Sequence, residues 1–137
     1  MSRGSGGVPR AVAVCARPSV WSALTPRAMA LPEPFRGEVW DVDFPDIDVH
    51  PAVVLSVNAL NARVGHVAVV PVTGTAGPAL THIPLTAEAG LTRYDQSYAD
   101  VTAVQPVDRA RLLTQRGRLV PSELTRLTDQ LEVYLGL

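Results

Sequence analysis

From Phe35 onward the apolar and polar positions follow the texture of strands. Glu38-Val39-Trp40-Asp41-Val42-Asp43-Phe44 alternates as a half-buried strand does, although Trp40 and Val42 break parity with Val39. Pro45 stops it, and residues 46–49 form a loop. Pro51-Ala52-Val53-Val54-Leu55-Ser56-Val57 is nearly all apolar, as expected for a central strand covered on both faces. Pro51 stands at its first position, where a missing N–H is tolerated. Asn58–Asn61 reads as one helical turn capped by Asn58. Gly65 opens a third strand over 66–72. Gly74, Gly77 and Pro78 mark a loop, 81–85 a short fourth strand, and Gly90 a turn. Residues 97–104 form a further strand, with Ala99, Val101 and Ala103 on one face and Tyr98, Asp100 and Thr102 on the other.

After Pro106 the pattern turns helical, with a short turn at 108–112 and a return strand at 117–120. Pro121 then suits the first turn of a closing helix in which Leu124, Leu127, Leu131, Tyr134 and Leu135 recur at three- and four-residue spacing. That stripe needs a surface to pack on, most simply the sheet. Five or six short strands with small helices at the corners and one at the end predict a mainly β (α+β) domain built as a small, strongly bent β-barrel.

The first 34 residues lack this texture. They hold Pro9, Pro18, Pro26, Pro32 and Pro34, the cluster Gly4, Gly6, Gly7, and no sustained period, and are expected to be a disordered or non-native extension to a domain spanning 35–137. Ala28-Met29-Ala30 imitates a signal-peptide cleavage site, but the apolar run 11–16 is short, and Arg17 and Arg27 lie between it and that site. An Arg-rich, acid-poor leader also has the texture of a transit peptide. Translation from Met29 is the plainer alternative, and it would leave Cys15 without a role.

Composition narrows the function classes. Of 137 residues, 47% are apolar and 18% charged, which excludes an intrinsically disordered chain, and no apolar run approaches the ~20 residues that span a bilayer. A lone cysteine excludes a disulfide scaffold, and His50, His66 and His82 are too scattered for zinc-ligand spacing. The expectation is a cytoplasmic protein with no membrane, metal or other cofactor. Residues 1–34 carry four arginines against one acid, whereas 35–137 carry eight against twelve. An acidic domain is poorly suited to duplex DNA, because nonspecific affinity there comes from phosphate neutralisation. Any nucleic-acid site has to be local.

Several stretches resemble one family in order and spacing: Arg36-Gly37-Glu38-Val39-Trp40, Pro51-Ala52-Val53-Val54-Leu55-Ser56, Val70-Pro71-Val72-Thr73, Asp108-Arg109-Ala110-Arg111-Leu112, Gly117-Arg118-Leu119 and the closing Leu135-Gly136-Leu137. Together they resemble the MazF/PemK toxins of type II toxin-antitoxin systems. The resemblance covers 35–137. It implies an SH3-like barrel, a homodimer, metal-independent and sequence-specific cleavage of single-stranded RNA, and inhibition by an antitoxin whose flexible tail fills the RNA groove. Family members read Arg-Pro at the second strand, with the arginine catalytic, where this chain has His50-Pro51. The family's threonine after the third strand is kept as Thr73, and an Asp-Gln pair common in its fifth strand is Thr102-Ala103 here.

Metal-free RNA cleavage needs a base for the 2′-hydroxyl proton, donors for the charge growing on phosphorus, and an acid for the departing 5′-oxygen. Histidine can take or give a proton near neutrality. As the residue before a proline, His50 favours extended geometry at a strand mouth, which suits a catalytic group; a surface histidine in a silent cleft is the alternative. Thr73 precedes Gly74-Thr75 and Gly77, so its hydroxyl and the amides around Thr75 can approach a phosphate. His82 is the candidate second proton carrier opposite His50; its plain reading is a partly exposed strand histidine. Tyr94 and Tyr98 offer flat faces for unstacked bases and Arg93 a phosphate contact. Arg109, Arg111, Arg116 and Arg118 read as solvated charges balancing Asp108, Trp40 and Phe44 as core, and His66 as solvated. Two other functions stand beside the endoribonuclease: a catalytically silent barrel that binds RNA or antitoxin, favoured by His50 and Thr102-Ala103, and a CcdB-type gyrase poison, which the Leu135-Gly136-Leu137 ending and Thr73 oppose.

If the extension stands outside the fold, a chain beginning at Met29 keeps the melting temperature and oligomeric state of the full chain. A drop beyond ~5 °C, roughly 1 kcal/mol at this size, shows instead that the leader packs.

Overall fold

The computed structural model describes residues 31–86, 89–91 and 96–137. Cys15, Met29 and the rest of 1–30, together with Arg93 and Tyr94, lie outside the described residues. The domain spans Pro32–Leu137. Its elements are β1 (Glu38–Asp43), β2 (Val49–Val54), the four-residue α1 (Asn58–Asn61), β3 (His66–Thr73), β4 (His82–Leu85), β5 (Ser97–Asp100), β6 (Gln105–Asp108), β7 (Leu112–Arg118) and α2 (Pro121–Leu135). The seven strands pair antiparallel in the order β4-β5-β3-β2-β1-β7, with β6 on β3. This is the mainly β architecture with a closing helix that the sequence pattern predicts.

β3 organises the sheet. On one edge it pairs with β2, and on the other with β6 along His66–Val69 and then with β5 at Val72 and Thr73. Its apolar side chains divide by parity, Val70 and Val72 entering a first core cluster and Val67 and Val69 a second. β2 and the residue after it divide in the same way, with Val53 and Leu55 against Ala52 and Val54. The nearly continuous apolar run in β2 is therefore a strand buried on both faces. Phe44 is buried, while Trp40 is half-buried on the second cluster and donates its indole N–H to the buried Glu38 Oε1 at 3.0 Å.

Four local expectations change. Asn58 does not cap α1, whose N-cap is Val57; the Asn58 Oδ1 instead accepts from the Arg36 backbone N–H. The strand expected over 97–104 breaks at a 3₁₀ turn, Val101–Ala103, because Asp100 Oδ1 accepts from both the backbone N–H and the hydroxyl of Thr102. Pairing with β3 then resumes in β6, a strand the sequence pattern does not predict, through Pro106 and ahead of the helical turn expected at 108–112; a strand with one edge unpaired by the ladder tolerates proline. The return strand begins at Leu112 rather than Gly117, after a single 3₁₀ turn, Arg109–Arg111, capped by Asp108.

Polar side chains fasten the segment before β1. The buried Asn61 donates to Pro34 O and Ser56 O and accepts from Ser56 Oγ at 2.5 Å. Arg109 is buried rather than solvated, because its guanidinium grips Pro32 O at 3.0 and 2.7 Å. Arg36 bonds Leu55 O and Thr128 Oγ1, tying the end of β2 to α2.

α2 starts with Pro121 in its first turn, and the buried Glu123 accepts from the Thr86 backbone N–H at 2.8 Å. It ends where Gly136 turns left-handed and Leu137 N–H reaches Glu132 O, a closure that satisfies otherwise open helix carbonyls. Leu127 is fully buried, and Leu124 and Leu131 pack on the first cluster, but Tyr134 and Leu135 each stay 49% exposed, so the predicted stripe docks over only its first part.

Leu127→Ala is expected to cost about 3 kcal/mol by urea unfolding, as for a fully buried leucine, and Leu135→Ala under about 1 kcal/mol. Equal effects would mean that the whole stripe is packed.

Candidate active site

β2 and β3 run antiparallel with Ala52 opposite Pro71. Continuing that register two residues outward sets His50, near the start of β2, across from Thr73, at the end of β3. His50 Nδ1 lies 3.1 Å from Asp48 O, which holds the ring at the corner between loop and strand. Thr73 Oγ1 accepts from the Thr75 N–H at 3.1 Å, so the chain folds back on itself as it leaves β3. The two residues line one cavity of about 230 Å³, with Pro51 and Gly74 beside them.

β1 and β7 supply the remaining polar wall. Asp41 pairs across the ladder with Pro51 on one side and Thr114 on the other. Arg116 has no ladder partner: Val39 pairs with Gly117 and Trp40 with Gln115, so Arg116 is the extra residue of a bulge. Bulges re-aim side chains and recur beside active sites. Here the guanidinium turns into the cavity, where Nη1 donates to both Asp41 oxygens at 3.1 and 3.3 Å and Nη2 to Gly90 O at 3.1 Å. Ser97 and Leu91 complete the wall. Among the described residues no three His, Cys, Asp or Glu side chains converge as metal ligands.

The other predicted groups fall elsewhere. His82 lies under the loop that follows Thr73: Thr81 Oγ1 is 2.8 Å from its Nδ1, Asp100 Oδ2 is 3.9 Å from its Nε2, and Gly77 packs so closely that a Cβ would sit 2.5 Å from the ring. Its imidazole is committed to that loop, and it is not among the residues that line the cavity with His50. Tyr98 pairs with Thr73 across β3 and β5 and meets the His82 ring edge-on at 6.5 Å. Thr75 is exposed on the loop itself. Arg93 and Tyr94 lie outside the described residues. Sequence reasoning missed Arg116 and Asp41. The available signal was Gly117 inside a strand, which marks a bulge.

A family model described as the PemK-like, MazF-like toxin of type II toxin-antitoxin system matches residues 35–135. The chain belongs to this toxin family. Solved structures agree with the MazF-like fold. An endoribonuclease from Mycobacterial species superposes with a TM-score of 0.68 at 23% identity, covering 78% of this chain and 95% of that one. A Mycobacterial endoribonuclease in complex with its cognate antitoxin gives 0.69 at 24%, covering 76% and 96%. A MazE-MazF structure from Deinococcus radiodurans gives 0.65 at 24%, with the same coverage. No curated protein is significantly similar in sequence. The MazF-like chain has no helix, among the described residues, long and apolar enough to cross a membrane.

Two glycines, one beside Arg116 and one at the end of α2, separate backbone strain from crowding. Gly90 and Gly136 share a left-handed φ, 75° and 76°, but a Cβ on Gly90 would collide with the Arg116 carbonyl while one on Gly136 meets open space. Gly136→Ala should cost about 1 kcal/mol, the left-handed penalty alone, and Gly90→Ala clearly more, because β7 must move. Equal losses in chemical denaturation would mean that the Gly90 loop does not seat on β7.

Proposed function

We propose that this MazF-like chain is the toxin of a type II toxin-antitoxin pair and cleaves single-stranded RNA at specific short sequences without a metal ion. The observation that carries the proposal is the convergence of His50 and Thr73, the first in the family's arginine position and the second in its threonine position, on one cavity. A phosphate seated there meets the Thr73 hydroxyl and the amides of the loop that follows. The 2′-oxygen attacks phosphorus and loses its proton, the P–O5′ bond breaks, and the 5′-oxygen gains a proton. The ends are a 2′,3′-cyclic phosphate and a 5′-hydroxyl. His50 is the group of the cavity able to carry one of those protons. His82 supports the loop that bears Thr73 and Thr75, and Tyr98 beside it offers a face for an unstacked base. The protein acts in the cytoplasm as a homodimer, and its antitoxin occupies the same groove as the RNA.

One feature favours a second reading, the silent barrel: histidine lacks the permanent charge of the arginine it replaces. Purified protein with a long unstructured RNA in EDTA separates the two. Cleavage leaving cyclic phosphate ends is expected, with His50→Ala slowing it by roughly 10² to 10⁴, as for loss of a general acid or base, and Thr73→Ala also weakening it. If His50 moves a proton, the wild-type pH–rate profile carries a histidine limb that His50→Arg lacks; if it supplies charge, His50→Arg is at least as active as wild type. Full activity of His50→Ala eliminates both roles. An inert wild type with an active His50→Arg protein identifies the silent barrel.

A further inference from the structure

A site that handles RNA phosphates needs a lasting positive charge, and the family position holds a histidine. Among the described residues, the other arginines are committed away from the cavity. Arg36 and Arg109 hold backbone carbonyls, while Arg111 and Arg118 pair with Asp43 and Glu38 outside it. Arg63 and Arg126 are exposed and do not line it. Arg116 does line it, placed there by the β7 bulge two strands away from His50.

The way Arg116 is held indicates what it can bind. A guanidinium presents a planar fork of donors that fits carboxylate and phosphate oxygens alike, and in this structure the fork is occupied on one side by the Asp41 carboxylate. The pair is partly open to solvent, with side-chain exposures of 33% and 22%, so it is held only weakly. Gly90 O keeps the other side of the guanidinium in place. We propose that Arg116 is the phosphate-binding cation of this cavity, paired with Asp41 until an RNA phosphate displaces the carboxylate; the proposal rests on the RNA reading above and names the residue that holds the substrate. Asp41 sets a threshold: it neutralises Arg116 in the empty site and competes with every phosphate that enters.

The test uses a labelled, unstructured 2′-O-methyl RNA of mixed sequence, which cannot cleave itself, titrated at several salt concentrations against the full chain. Arg116→Gln should raise Kd at least tenfold and make the salt dependence shallower by about 0.7 in log–log slope, the value of one single-strand phosphate contact. Asp41→Asn should tighten binding severalfold, because the competitor is gone. Arg126→Gln, on the exposed face of α2, should change neither. A merely structural clamp predicts that Asp41→Asn weakens binding as Arg116→Gln does, and that result overturns the proposal. So does an unchanged slope in Arg116→Gln, or a wild type that fails to bind. If the variants behave as expected but unmodified RNA stays intact in wild type, the cleavage reading fails while the assignment of Arg116 stands.

Discussion

Strand β3 is hydrogen-bonded along both edges and covered on both faces, and most of the domain takes its position from that. β2 occupies one edge, β6 and β5 share the other, and the valines of β3 alternate between the two core clusters. A slip of one residue would send each set of valines to the wrong cluster, so the register is strongly specified. Thr73 is the last residue of this strand, and His50 stands near the start of the neighbouring one. Both are delivered to one end of the sheet by core packing. The cavity is thus a consequence of where the most constrained strands stop.

Arginine does two kinds of work in this lysine-free chain. Arg36 and Arg109 act as cross-links, each spanning segments far apart in sequence by gripping carbonyl oxygens. Arg111, Arg116 and Arg118 form a seam with the acids of β1, pairing with Asp43, Asp41 and Glu38. The middle pair, whose arginine sits in the β7 bulge, opens onto the cavity, and the outer two do not. The acidic balance of the domain is therefore a poor guide to the cavity wall, because Asp41, the acid that lines it, is matched by Arg116 of β7.

Membership of the MazF-like toxin family and the identity of residue 50 concern different parts of the molecule. The likeness to solved structures lies in the overall fold, which tolerates substitution so long as volume and pattern persist. His50 lies near the start of β2, outside both core clusters, where a side chain can change without disturbing them. Fold and chemistry can diverge independently for that reason.

The sequence by itself determined the strand texture, the double-sided burial of β2 and the amphipathic start of α2, and it singled out His50 and Thr73, which line one cavity, because periodicity, proline placement and a family motif are local and additive. It did not determine that β5 breaks and resumes as β6, since the cause is one side-chain cap at Asp100 and the partner strand is some thirty residues upstream, a contact no local window contains. Nor did it sort the arginines. Arg109, Arg111, Arg116 and Arg118 form one basic run in sequence, yet one is buried on Pro32 O, two pair at the surface and one enters the cavity. Only the tertiary structure decided among them, because the destination of a long, charged side chain depends on which carbonyl or carboxylate the fold brings within its reach, and here a bulge in β7 set the direction.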